Sequence, residues 1–143
     1  MIYRALIIPV ALLTVGLSAV SARAQTRMVY TPIPLPTGNE VSDTLSDKDI
    51  PLEGGFARDY VARLNANDQV VIDLTSDSFD TIVTLMAPDG SMVGQNDDGP
   101  DGSNNSLLFA RIKNAGSYII RVRAFGDTGG GPFKLKVTRL RSL

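Results

Sequence analysis

A chain of 143 residues has room for one domain, and a hydrophobic content of 43% excludes disorder throughout. Aromatic residues make up only 6%, with no Trp, which argues against a broad aromatic ligand platform. The absence of His and Cys removes His-dependent triads, thiol nucleophiles, disulfides and most zinc sites.

The first 24 residues read as an export signal. Arg4 supplies a positive start, and Ala5 to Val20 is apolar apart from Thr14 and Ser18. Ala22-Arg23-Ala24 fits a small-x-small cleavage site, placing the mature start at Gln25. The apolar run is short for a membrane span of about 20 residues, and no Cys follows it for lipid attachment. The expectation is an exported protein, periplasmic or secreted, with no membrane span after cleavage. Without its leader the chain has 12 basic against 15 acidic residues, so a nucleic-acid role is disfavoured.

Residues 25–52 read as an extended lead-in. Pro32, Pro34 and Pro36 alternate with Thr31, Ile33 and Leu35, which favours a polyproline or edge-like backbone and suggests a tether. The acidic second half has room for one short strand around Val41 to Leu45. The folded domain is expected over 53–143.

From Asp59 the apolar period becomes two. Tyr60, Ala62 and Leu64 share one strand face, followed by the turn Asn65-Ala66-Asn67-Asp68. Val70, Ile72 and Leu74 alternate with Val71, Asp73 and Thr75. Phe79 to Ala87 is a further run, closed by the turn Pro88-Asp89-Gly90, and a short strand spans Ser91 to Gln95. After an acidic loop, Leu108, Ala110 and Ile112 alternate with Leu107, Phe109 and Arg111. Tyr118, Ile120, Val122 and Ala124 then face inward opposite Arg121 and Arg123. A glycine-rich loop leads to the last strand, where Phe133, Leu135 and Val137 oppose Lys134, Lys136 and Thr138. Thirteen Gly and eight Pro supply the turns. No segment sustains a helical period. Seven or eight short strands with these turn signals predict an all-β, antiparallel, jelly-roll-like β-sandwich.

The motifs in order carry a resemblance. They are Asp59-Tyr60-Val61, Asn67-Asp68-Gln69-Val70-Val71-Ile72, Phe79-Asp80-Thr81, Pro88-Asp89-Gly90, Asn96-Asp97-Asp98, Asn105-Ser106, Ala115-Gly116-Ser117-Tyr118 and the closing Gly131-Pro132-Phe133-Lys134-Leu135. Over about Asp43 to Leu140 the sequence resembles the bacterial pre-peptidase C-terminal domain family. The resemblance implies a jelly-roll-like sandwich of the kind appended to secreted peptidases, some members of which bind collagen, insoluble polysaccharide or calcium. Calcium-binding relatives use an acidic linker before the first strand and an Asp ahead of its Tyr, which Asp59 matches. Here the linker offers only Asn39, Glu40 and Asp43, and Phe56 stands where a second Asp is expected.

Two constellations are candidates for function. Asp80, Asp97, Asp98 and Asp101, with the amide oxygens of Asn96 and Asn104, offer hard oxygen ligands to Ca²⁺. An EF-hand is excluded, since counting from Asp97 places Leu108 at the twelfth position, where an acid is needed. The competing reading is structural: Asp and Asn side chains bond nearby amides and shape turns, and for Asp80 this reading is the stronger. The second constellation assumes a hairpin between the strands around Val122 and Leu135. Arg121, Arg123, Lys134 and Lys136 would then form a basic stripe for an acidic polysaccharide or phosphate, unless they are simply a solvated face that discourages edge pairing. No nucleophile motif or carboxylate pair at glycosidase separation is visible, so catalysis is not expected. The leading reading is a non-catalytic exported module binding an extracellular or envelope protein or polysaccharide. The alternative is a structural accessory or chaperone-like partner of a separately encoded secreted peptidase or hydrolase.

Overall fold

The computed structural model describes residues 30–126 and 129–140, and contains no helix among them. The leader read over residues 1–24 lies outside the described residues. The strands are β1 (Ile33–Pro34), β2 (Glu40–Leu45), β3 (Ile50–Leu52), β4 (Gly55–Leu64), β5 (Gln69–Thr75), β6 (Thr81–Met86), β7 (Met92–Asn96), β8 (Ser106–Arg111), β9 (Gly116–Ala124) and β10 (Gly131–Leu140). Two sheets face each other. One has the order β1-β4-β9-β6-β7, with β3 also paired to β4; the other runs β2-β10-β5-β8. Every pairing is antiparallel except β1 with β4, where Ile33 lies opposite Tyr60.

The period-two pattern explains this architecture. Along β4, β5, β9 and β10, alternate side chains enter one interior: Tyr60 and Leu64, Val70, Ile72 and Leu74, Ile120 and Val122, Phe133 and Leu135, all buried. Each such side chain contributes roughly 1.5–3 kcal/mol by leaving water. Phe133 meets the ring edges of Tyr60 and Phe79 at centroid distances of 6.3 and 6.4 Å, closing one end of the core. The fold is therefore the expected all-β sandwich. Eight strands of five or more residues form it, supplemented by the short β1 and β3.

The structure departs from the sequence reading in two places. Residues 33–52, expected as lead-in with one short strand, belong to the sandwich: β2, the strand expected there, pairs with β10 over six positions and buries Leu45, while the unexpected β1 and β3 line the edge of β4. β9 and β10 do not form a hairpin either. They lie in opposite sheets, because the chain crosses the sandwich after Ala124 and returns between β2 and β5. Each strand thereby gains two partners within its own sheet, β4 and β6 for β9 and β2 and β5 for β10.

Candidate functional site

The two flanks of the sandwich differ. At the first, β2 of one sheet approaches β4 of the other, and polar groups bridge the gap. The Tyr60 hydroxyl donates to Asp43 at 2.9 Å, and Arg58 reaches Asp43 at 2.5 Å and Asp49 at 2.7 Å. The Ser46 amide donates to the other Asp49 oxygen at 2.8 Å, so the turn after β2 is tied to the same clamp. Burial opposes ionisation of Asp43, but the Thr44 amide, the Tyr60 hydroxyl and the Arg58 guanidinium outweigh it and hold its carboxyl below the ordinary range.

On the outer face of the larger sheet, Asp59 is buried at 2% exposure. Arg121, directly opposite on β9, donates from Nε and Nη2 to its two carboxylate oxygens, each at 2.8 Å. Tyr30 reaches over from the segment before β1, and its hydroxyl donates to the same carboxylate. Burial, then the hydrogen bond and charge of Asp59, push the Tyr30 phenol up to about 12. A phenol whose folded value exceeds its unfolded value of about 10 stabilises fully below pH 10, and that contribution is gone once pH passes about 12. Thermal melts from pH 8 to 12 should therefore show Tyr30→Phe losing less stability across that interval than the parent chain. Equal slopes would mean the latch is absent in solution. Tyr60, also held above its ordinary range by burial and Asp43, keeps part of the slope in both chains.

The acidic loop is built from its own hydrogen bonds. Asp101 accepts from the Ser103 amide and hydroxyl at 3.1 and 2.7 Å, and the Ser103 hydroxyl accepts from the Asn105 amide at 3.2 Å. Asn105 Oδ1 accepts from the Ser76 amide at 3.0 Å, and Asn96 Oδ1 from the Leu107 amide at 3.2 Å. The Asn104 carbonyl receives the Thr81 amide and hydroxyl, beside a buried Thr81–Ser106 hydroxyl pair 2.7 Å apart. Asp80 contributes its backbone carbonyl, which accepts from the Phe125 amide at 2.7 Å.

The acidic side chains read as calcium ligands do not come together as one cluster. Asp59 is occupied by Arg121 and Tyr30. Asp80, Asp97, Asp98 and Asp101 are not gathered, and among the described residues no three acidic side chains are placed to share a metal ion. Nor does any buried side-chain polar atom among them lack a partner, as an orphaned ligand would. The basic stripe also separates. Arg121 and Arg123 lie on the outer face of one sheet, Lys134 and Lys136 on that of the other. Lys134 pairs with Glu40 at 2.6 Å, and Lys136 stands opposite Asp73 and Glu40 in the ladder.

The second flank, between β7 and β8, has a different character. The edges approach closely enough that a Cβ at Gly94 would stand 3.1 Å from Leu108 Cδ1. Beyond that contact a groove of about 490 Å³ opens, walled by Met92 and Val93 on one side and by Phe109 to Asn114 on the other, with Tyr118 also lining it. Met92 and Phe109 are each 63% exposed, and Val93 is exposed beside them. The strand parity of the sequence places Phe109 outward without marking it as functional. The one available signal is an aromatic residue at an outward position of a strand.

No protein-family model matches the sequence, and no curated protein matches it. Solved structures are similar in fold. The pre-peptidase C-terminal domain of a collagenase from Bacillus anthracis superposes with a TM-score of 0.59 at 11% identity, covering 76% of this chain and 95% of the other. PliG of Aeromonas hydrophila, a periplasmic inhibitor of g-type lysozyme, gives 0.57 at 15% identity, covering 77% and 96%. PliG of Salmonella Typhimurium gives 0.52 at 10%, covering 78% and 100%. The protein thus has the β-sandwich fold that its sequence motifs indicate, that of the pre-peptidase C-terminal domain.

Proposed function

We propose that this protein is a non-catalytic, exported binding module whose partner is a protein. The observation that carries the reading is the cluster of Met92, Val93 and Phe109 on the β7/β8 flank. Exposed apolar side chains gathered around a groove mark interaction surfaces more than scattered ones do. The fold adds support, since it is shared with periplasmic inhibitors that act on a lysozyme. The chemistry of the chain agrees: it has no His or Cys, and its buried carboxylate is locked in an ion pair. The leader-like first 24 residues and the periplasmic location of the PliG neighbours favour export.

The test is retention of envelope and secreted proteins on the immobilised mature chain, in parallel with collagen and insoluble polysaccharides. One protein retained stoichiometrically, and released about tenfold faster from a Met92→Ser, Phe109→Ser chain of unchanged melting temperature, is the expected result. Retention by an insoluble polysaccharide alone would overturn the reading.

A further inference from the structure

We infer that the β7/β8 flank takes an extended, acid-bearing segment of the partner protein, added as a further strand to β8. This deepens the protein-binding reading above and depends on it.

β8 is the last strand of its sheet, with β5 on one side only. The direction of its backbone groups follows from two fixed points. Just past its end, Ile112 turns toward the chain entering β5, donating to the Asp68 carbonyl at 2.8 Å and accepting from the Asn67 amide at 2.7 Å. Leu107, of opposite parity, turns its amide away from β5 to the Asn96 side chain. In an antiparallel ladder these directions alternate residue by residue. Phe109 and Arg111 therefore present their amides and carbonyls to the open edge, two residues apart, the repeat at which an incoming strand bonds.

The side chains around this edge define what the strand carries. Alternate residues on the groove side would lie over Ala110 and Ile112, beside Met92 and Val93, and so be apolar. Arg111 and Lys113 are exposed, and among the described residues neither has an ion-pair partner. The acid in the groove, Asp89, is turned onto its own loop, accepting from the Ser91 hydroxyl at 2.6 Å and amide at 3.0 Å. A basic rim on a chain that is acidic overall favours acidic residues at the alternate positions of the occupant. On the opposite flank β1 and β3 cover β4, and the terminal strand there, β2, carries the acids Glu40 and Asp43, with Arg58 spanning the gap to it, so it does not suit an acidic occupant.

The test uses the mature chain and a fluorescein-labelled peptide of alternating Asp and Val, read by fluorescence anisotropy. Saturable binding is expected, weakened about tenfold or more when every Asp becomes Lys, when one edge of the peptide is N-methylated, or when Arg111→Glu and Lys113→Glu are combined. Arg111→Pro removes an amide that β5 does not use and should abolish binding. If that variant does not fold, the N-methylated peptide and the charge reversals decide the matter alone. Absence of binding, or equal binding to all variants and peptides, overturns the proposal. So does a dimer in sedimentation that Arg111→Pro dissociates, since a second copy would then occupy the edge. A partner protein that binds the Arg111→Pro chain undiminished would sink this site and leave the protein-binding function standing. Failure to retain any protein would sink both.

Discussion

In urea melts, Arg121→Met is expected to lower the unfolding free energy by about 3–5 kcal/mol, the loss that follows when one partner of a buried ion pair is removed. Its partner sets the magnitude. The Asp59 side chain is fully enclosed, whereas that of Arg121 keeps 24% of its surface. Without the guanidinium, the carboxylate keeps, among the described residues, only the Tyr30 hydroxyl. Adding Asp59→Val to Arg121→Met should recover most of the loss, because the unpaired charge is then gone and an apolar side chain fills its place on the outer face. A single-variant loss below about 1 kcal/mol would show that the pair behaves as a solvated surface bridge.

Ile120→Asp is expected to abolish the cooperative unfolding transition, while Ile119→Asp, one residue earlier, should cost about 1 kcal/mol or less. Ile120 is completely buried between the sheets, where an ionised carboxylate has no partner and no water. Its removal from the core, together with the buried charge, exceeds the margin of about 5–15 kcal/mol by which small domains are stable. Ile119 points to the opposite face, in the shallow groove beside Tyr30, Pro32 and Met86, where an acid meets water and the Arg121 side chain. Circular dichroism and thermal melts of the two variants make the comparison. Similar losses in both would contradict the alternation on which the sandwich rests.

The same alternation makes much of the fold legible in the sequence. The spacing of Tyr60, Ile72, Leu74, Ile120, Val122 and Leu135 points them inward, and all are buried. Gly90, with φ of 85°, ends the expected turn, and its amide donates to the Ala87 carbonyl at 2.9 Å. The strand expected around Val41 to Leu45 matches β2 to within one residue. The prolines at 32, 34 and 36 hide the rest of the lead-in. They suit an edge, and β1 does lie on one, but composition alone does not distinguish a short edge strand from a tether.

Local pattern and turn chemistry by themselves determined the fold class, the inward face of each main strand and the outward position of Phe109, because these depend on neighbours two residues apart. Which strands share a sheet was decided only in three dimensions. β9 and β10 are joined by a short glycine-rich loop yet lie in opposite sheets, which dissolves the basic stripe of Arg121, Arg123, Lys134 and Lys136. The pairing of Asp59 with Arg121, 62 positions later, and of both with Tyr30 is decided the same way. Charges far apart in sequence meet only when their strands pair, and whether an acid such as Asp59 is a ligand or half of an ion pair depends on what then stands beside it.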